Sequence, residues 1–184
     1  MRSLSHRLAR VVATLGAGFM LTGASTVSGA QEAAAAAAPI SVNVLAPGVT
    51  AEVVAASPSA LAPGQTVYVA RFVFQPGATI FPHNHPGTTV LGVVSGSFGW
   101  TLKAGIAHVI RGAGAGATGP VEDLTKPGTD VILKPGDAIF YETDVVHTAR
   151  GAGDTEAVVL GSLVLKAGAP LLMPADMKMD APKS

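Results

Sequence analysis

The chain has 184 residues, 12 of them lysine or arginine and 12 aspartate or glutamate, so its formal net charge is zero. This length is typical of one domain of about 100–200 residues. The charge balance excludes nucleic-acid binding through a broad basic surface. A hydrophobic content of 48% excludes a chain that is disordered over its whole length. The absence of cysteine excludes disulfides, thiolate nucleophiles, cysteine zinc sites and iron–sulfur clusters.

Residues 1–30 have the composition of a signal peptide. The first ten residues carry three arginines and no acid, Val11–Leu21 is apolar, and the small residues Ser28-Gly29-Ala30 follow. We therefore expect cleavage near Ala30 and a secreted or periplasmic protein. A membrane anchor is the alternative, because Val11–Ala30 is about long enough to span a bilayer, but its threonines, serines and glycines suit a spanning helix poorly.

The next segments are predicted in chain order as an alanine-rich linker over 31–39, a folded domain over 40–168 and a C-terminal tail over 169–184. In the domain, repeated Pro-Gly pairs mark turns between short runs of β-branched and aromatic residues. No helical periodicity of 3.6 residues is present after Pro39. The predicted strands are Thr66–Phe74, Thr89–Val94, Ser97–Leu102, Thr129–Leu133, Ala138–Tyr141 and Ala157–Leu165. This pattern predicts an all-β antiparallel sandwich or barrel.

Three histidines are the strongest candidates for chemistry. His83 and His85 form a His-x-His pair, whose imidazoles point to the same face of an extended strand. Neutral imidazole is a good ligand for zinc, copper, nickel and iron. His147 comes about sixty residues later, after a Pro-Gly turn, a hydrophobic strand and a second turn. It lies near the pair if the strands close into a barrel.

Two spaced motifs resemble those of the cupin superfamily. The first is Gly77-(x5)-His83-x-His85-(x3)-Thr89-(x6)-Gly96, which resembles G(X)5HXH(X)3–4E(X)6G. The second is Gly136-(x5)-Glu142-x-Asp144-(x2)-His147-(x3)-Gly151, which resembles G(X)5PXG(X)2H(X)3N. The resemblance covers residues 66–165 and implies a small jelly-roll barrel of six to eight antiparallel strands. It also implies that His83, His85 and His147 are metal ligands that face into the barrel.

The clearest chemical departure from the motifs is at Thr89, where the family has a metal-binding glutamate. Three neutral imidazoles leave the charge of a divalent ion uncompensated, so we expect weaker binding and open coordination positions, with Thr89 beside the vacant one. Glu142 or Asp144 could supply a substitute acid, and Glu142 is also a candidate general base. The alternative is that both are solvated turn residues. A three-histidine site still suits zinc with one water, or iron, nickel or copper.

Other residues are open to two interpretations. Arg71 and Arg150 either face the interior, where they would pair with a substrate carboxylate, or lie on the surface. His108 has no motif around it and is interpreted as a surface or hairpin residue. Gly112–Pro120, rich in glycine and alanine, is predicted as a loop at a hairpin tip. The aromatic residues predicted to form an apolar wall are Phe72, Phe74, Phe98 and Trp100. Tyr141 is expected to pack in the barrel wall with Phe98 and Trp100, and the alternative is that one of these three lines the pocket.

Together these features predict an exported single-domain cupin that binds one divalent first-row metal, Fe, Mn, Ni, Cu or Zn, and acts on a small organic molecule. An oxygenase or another metal-dependent oxidoreductase fits this hypothesis, with the catalytic residues unassigned. A small-ligand-binding module without catalysis is one alternative, and a metal-free structural barrel is another. We expect no nucleic-acid partner and no stable membrane insertion after cleavage. A homodimer formed through a strand edge also fits.

Overall fold

The computed structural model describes residues 42–112, 119 and 121–175. The predicted signal peptide and linker lie outside the described residues. All regular structure in this part of the chain is strand. The strands are β1 (Val42–Ala46), β2 (Val49–Pro58), β3 (Gln65–Phe74), β4 (Thr79–Asn84), β5 (Gly87–Ser95), β6 (Phe98–Ala104), β7 (Ala107–Ile110), β8 (Val121–Leu124), β9 (Asp130–Leu133), β10 (Ala138–Tyr141), β11 (Val146–Gly151), β12 (Ala157–Lys166) and β13 (Met173–Pro174).

The strands form two sheets. The larger has eight strands in the order β1-β2-β3-β12-β5-β10-β7-β8, and the smaller has five in the order β13-β4-β11-β6-β9. Every ladder between these strands is antiparallel. Strands that are neighbours in sequence often lie in different sheets, as β4 and β5 do, which is typical of a jelly roll. The predicted all-β antiparallel barrel is therefore confirmed.

Each of the six predicted strands coincides with an observed one, respectively β3, β5, β6, β9, β10 and β12. The described residues nevertheless form thirteen strands, so the expected number of six to eight is too low. The additional strands are of three kinds. β1 and β2 extend the larger sheet as a hairpin, and β7 and β8 pair as another. β4 and β11 pair over a long distance in sequence, and two residues near the C-terminus add β13 beside β4. Most of the predicted Gly112–Pro120 loop lies outside the described residues.

The interior is filled by alternate side chains of the strands, because successive residues of a strand point to opposite faces. In β12, Val159, Leu163 and Leu165 are fully buried, whereas Leu160 and Lys166 point to solvent. Each such buried aliphatic side chain contributes about 1.5–3 kcal/mol relative to an exposed one. The same alternation in β11 directs His147 inward.

Glycine is required where the chain passes between the two sheets after His85. A Cβ on Gly87 would lie 2.0 Å from the carbonyl oxygen of Val164, which belongs to the neighbouring strand β12. Backbone atoms of a paired strand cannot move aside, so only glycine permits this approach. The turn before β10 uses Gly136 at φ 91°, a conformation that side chains with a Cβ rarely adopt. Gly87 thus follows the His-x-His pair directly, and Gly136 begins the motif that contains His147.

Within the described ranges there is no helix long and apolar enough to cross a membrane.

Candidate metal centre

Strands β4 and β11 bring together histidines from the two motifs. His83 and His147 are directly paired residues in the antiparallel ladder between these strands. His85 follows the end of β4 and, two positions after His83, points to the same side. The expected convergence of a His-x-His pair with a distant histidine is therefore seen in the structure.

The three imidazoles are close enough to share one ion. Their exposed fractions are 3% for His83, 2% for His85 and 1% for His147. One ring nitrogen from each lies within 4.8 Å of the others. Ring centroids are 4.2 Å apart for His83 and His147, 5.2 Å for His83 and His85, and 5.5 Å for His85 and His147. A first-row metal bound at about 2.0–2.1 Å from each nitrogen requires nitrogens no more than about 4.2 Å apart, so the three rings must draw slightly together when an ion binds.

Backbone carbonyls orient two of the three rings. The Nδ1 of His83 is 2.8 Å from the carbonyl oxygen of Phe81, and the Nδ1 of His85 is 2.5 Å from that of Leu171. A carbonyl only accepts hydrogen bonds, so each Nδ1 carries the proton and donates it. The Nε2 of each ring then keeps its lone pair for a ligand bond. This arrangement is the usual outer support of metal-binding histidines.

His147 is held by aromatic neighbours. Its ring stacks on Trp100 with centroids 4.9 Å apart, and its Nε2 lies 3.4 Å from the hydroxyl oxygen of Tyr141. Its Nδ1 is buried and makes no hydrogen bond of good geometry among the described residues, although a backbone contact with Val145 partly opposes the lowering of the pKa of this ring. One nitrogen of this ring belongs to the group of three that converges with His83 and His85. The residues present therefore fit a bound metal ion.

Burial keeps the site neutral in the absence of a metal. Desolvation, assisted by the nearby His83, lowers the pKa of His85 to about 3. Desolvation also lowers the pKa of His83, and it lowers the pKa of His147 well below the usual value. The pKa of the buried Tyr141 hydroxyl is raised, again mainly by desolvation. All three imidazoles therefore have lone pairs available at neutral pH, as metal binding requires.

A small apolar cavity adjoins the histidines. Its volume is about 20 Å³, enough for about one water molecule. Two of its wall residues, Leu45 and Leu172, are only partly buried and mark its outer end. Its lining comprises the three histidines with Leu45, Phe72, Phe74, Ile80, Leu91, Phe98, Ala149, Val159 and Leu172. Of the predicted aromatic wall, three phenylalanines line the cavity, and Trp100 instead packs on His147.

The fold places the residue at the family's glutamate position, and the two acids that could replace that glutamate, in different environments. Thr89 is fully buried, and its hydroxyl has no hydrogen-bond partner in the described ranges. It is paired across the ladder with Tyr141, whose hydroxyl contacts His147. Glu142 lies on the surface, where its carboxylate accepts a hydrogen bond of 2.6 Å from the Thr88 hydroxyl. Neither Glu142 nor the exposed Asp144 lines the histidine cavity.

The remaining polar candidates belong to the surface. Arg71 is exposed and lies 3.9 Å from Glu52, so the interpretation that it faces the interior is wrong. Arg150 forms a bidentate pair with Asp130 at 2.6 and 2.7 Å. The bond from this arginine holds the pKa of the Asp130 carboxyl below its usual value.

His108 lies in the β7–β8 hairpin, as its interpretation as a surface or hairpin residue expects. Its Nδ1 is 2.7 Å from a carboxylate oxygen of Asp123 on the paired strand.

Two groups at the site are absent from the sequence-based candidates. The Tyr141 hydroxyl, on a ring expected to pack in the barrel wall or line the pocket, reaches His147. The Leu171 carbonyl comes from the segment predicted as a tail. Pairing of Tyr141 with Thr89 could be found from the register of two predicted strands. A main-chain carbonyl has no residue signature, because every residue type supplies one.

Comparison with known proteins finds similarity in structure. No family profile matches the chain, and no curated protein matches it by sequence. A chain from the crystal structures of DMSP lyases matches 70% of this chain at 18% identity, with a TM-score of 0.46, and the match covers 53% of its length. This chain thus spans about half of that relative.

Two further solved structures are matched over a larger share of their own length. A cupin 2 domain-containing protein from Halorhodospira halophila matches 70% of this chain and 71% of its own, at 18% identity and a TM-score of 0.42. An RmlC-like cupin from Shewanella frigidimarina matches 71% of this chain and 87% of its own, at 15% identity and a TM-score of 0.38.

The likeness in fold rests on features of the chain itself. The two spaced motifs supply the three histidines, and the antiparallel ladders place them side by side in the interior. With these histidines inside a barrel of two antiparallel sheets, the chain has the fold of the cupin superfamily.

Proposed function

We propose that this chain binds one divalent first-row metal through His83, His85 and His147. The observation that carries the proposal is the convergence of three buried imidazoles, with one nitrogen of each within 4.8 Å of the others. Such a donor set suits zinc, iron, nickel or copper, and the bound ion would act as a Lewis acid toward an oxygen or nitrogen atom of a ligand.

We propose a small, largely apolar organic molecule as the ligand of this centre. The described residues that line the cavity include no charged side chain and no polar one besides the histidines. Phe72 and Phe98 belong to this lining, so the wall beside the imidazoles is apolar. A metal-dependent oxidoreductase that uses this site is the enzymatic form of the proposal.

A binding module without turnover is the second candidate. It is favoured by the surface position of Glu142, which leaves the cavity without a carboxylate to act as a general acid or base. The same ion and ligand would then be held without reaction. Assay of oxygen consumption by the metal-loaded protein, with and without small organic molecules, separates the two candidates.

Export is proposed from the N-terminal sequence alone. Its arginines, apolar stretch and small residues up to Ala30 support cleavage and a secreted or periplasmic location. The N-terminal sequence of protein recovered from the producing cells tests this, because cleavage predicts a chain that starts near Gln31.

Metal content tests the main proposal. Purified protein is incubated with each candidate metal, freed of excess metal and analysed for its elements. We expect one equivalent of metal, lost in His83→Ala and in His147→Ala. The matched control is His108→Ala, which removes an imidazole that pairs with Asp123 on the surface. Absence of stoichiometric metal in the unmutated protein, or equal loss in the control, contradicts the proposal.

A further inference from the structure

A short C-terminal segment lies against the histidine site. We define it as the strap, residues 171–175, which contains β13. Met173 pairs with Asn84 and Pro174 pairs with His83 in the ladder between β13 and β4. The amide of Ala175 donates to the carbonyl oxygen of Pro82 at 3.0 Å. The strap is therefore attached to the same strand that carries the first ligand histidine.

The strap also contacts the second histidine. The carbonyl oxygen of Leu171 accepts the hydrogen bond from Nδ1 of His85. This bond fixes the tautomer in which Nε2 is the free nitrogen. If the strap were absent, the His85 ring could rotate and either nitrogen could carry the proton. The strap thus prepares His85 for a ligand bond before any metal arrives.

The strap also supplies part of the cavity wall. Leu172 lines it and is partly buried, whereas the phenylalanines of its wall are fully enclosed. Met173, the next residue, is 7% exposed and anchors the segment. Because the cavity holds about one water molecule, a larger molecule enters only when a wall residue moves. Leu172 and Leu45 are the wall residues at its outer end.

We propose that the strap is a working part of the site: its Leu171 carbonyl positions His85 for metal binding, and its Leu172 side chain closes the cavity and limits the size of what enters. This rests on the proposed metal-binding function. Leu171 is a positioning residue, since it acts through His85. Leu172 is a specificity-determining residue for an apolar group placed beside the metal.

Truncation tests the positioning role. One variant ends at Ala169 and lacks the strap, and the matched control ends at Ala175 and keeps it. Zinc affinity is measured by competition with a chromophoric chelator. We expect the control to bind as the full chain does, and the shorter variant to bind about 10–100-fold more weakly, the usual cost of losing an outer support of a ligand histidine. Equal affinity in a folded shorter variant overturns the proposal.

A measurement on the full chain keeps the test decisive if the shorter variant does not fold. Nitrogen chemical shifts of the metal-free protein report the tautomer of His85. We expect a protonated Nδ1 whose hydrogen exchanges slowly and an unprotonated Nε2. A protonated Nε2, or rapid exchange at Nδ1, overturns the positioning role. Failure of the full chain to bind zinc instead contradicts the proposed function, so the two failures are distinguishable.

Leu172→Ala tests the closing role. This substitution keeps the main-chain carbonyl of Leu171 and shortens only the side chain over the cavity. Rates of cobalt uptake and of cobalt release to excess chelator are compared with those of Leu61→Ala, a control at a side chain that is 99% exposed. We expect faster uptake and faster release in Leu172→Ala alone. Unchanged rates overturn the closing role.

Discussion

His83 in β4 and His147 in β11 are directly paired across the ladder between these strands, and their ring centroids lie 4.2 Å apart. The contact depends on strand register, because a shift of one residue turns a side chain to the opposite face of a sheet. The metal site is therefore formed by the same ladder that holds the smaller sheet together. Loss of this pairing would separate β4 from β11 and remove the site.

The metal-free protein should lose stability as the pH falls. An unfolded histidine has a pKa near 6.5, whereas burial lowers the pKa of His85 to about 3 and lowers those of His83 and His147. Below pH 6.5 the unfolded state therefore binds more protons than the folded state, so acid favours unfolding, and the effect is absent above pH 6.5. We expect up to about 1.4 kcal/mol per pH unit for each histidine.

Urea unfolding in the presence of a chelator, between pH 8 and pH 4, measures this slope. Replacement of His85 by glutamine removes one of the titrating groups, so the slope of its unfolding free energy should be shallower. The buried-histidine effect begins near pH 6.5 and precedes that of Asp130, whose lowered pKa acts only in stronger acid. A free energy of unfolding that stays constant from pH 6.5 to pH 4 would contradict the expectation.

Much of this site could be predicted from local sequence. The His-x-His spacing places two imidazoles on one face, and the Pro-Gly turns give the observed strands. The pairing of His83 with His147 required the order of strands in the sheet, which spacing does not determine because β4 and β11 are far apart in the chain. The Leu171 carbonyl had no sequence signal, since a backbone acceptor is common to all residues.

Packing determines whether an acid near His147 in sequence can replace the family's glutamate. Glu142 is adjacent in sequence to Tyr141, yet alternation along the chain sends Tyr141 into the barrel and leaves Glu142 on the surface. Its proximity to His147 in sequence therefore did not predict proximity of the side chains. Thr89 is the buried residue at the family's glutamate position, and it lies beside Tyr141 in the ladder.

Thr89→Glu should strengthen metal binding. The substitution adds a carboxylate at a buried position whose hydroxyl has no partner in the described part of the chain, and a negative ligand offsets the charge of a divalent ion. We expect about tenfold tighter zinc binding, equivalent to about 1.4 kcal/mol, measured by chelator competition. The metal-free variant should be less stable, because a buried carboxyl without a partner is costly.

Thr89→Val is the matched control for that substitution. It preserves the shape of the side chain and removes an unsatisfied hydroxyl, so we expect unchanged zinc affinity and a free energy of unfolding raised by about 1 kcal/mol. If Thr89→Glu bound zinc no more tightly than Thr89→Val, the position would be too far from the histidines to supply a ligand.

Arg150→Met should change stability slightly and leave metal binding intact. The pair with Asp130 is bidentate but partly exposed, with side-chain exposures of 32% and 42%. Solvent screening limits such a pair to about 0.2–1 kcal/mol. Denaturant unfolding at low and high salt measures the loss, which should shrink as salt increases. A drop in zinc affinity would instead place Arg150 in the site and contradict its assignment to the surface.

Gly87→Ala should disrupt the link between the two halves of the first motif. The added Cβ would lie 2.0 Å from the Val164 carbonyl oxygen, so β5 must shift from β12, at a cost of about 1–3 kcal/mol or more. Gly92→Ala is the control in the same strand, where an added Cβ meets no atom within 4 Å and should be neutral or stabilising by up to about 1 kcal/mol. Because Gly87 lies between His85 and Thr89, we also expect weaker zinc binding in the first variant alone. Thermal unfolding and chelator competition on both variants measure these effects, and similar results for the two glycines would show that the close approach to β12 does not hold the site in place.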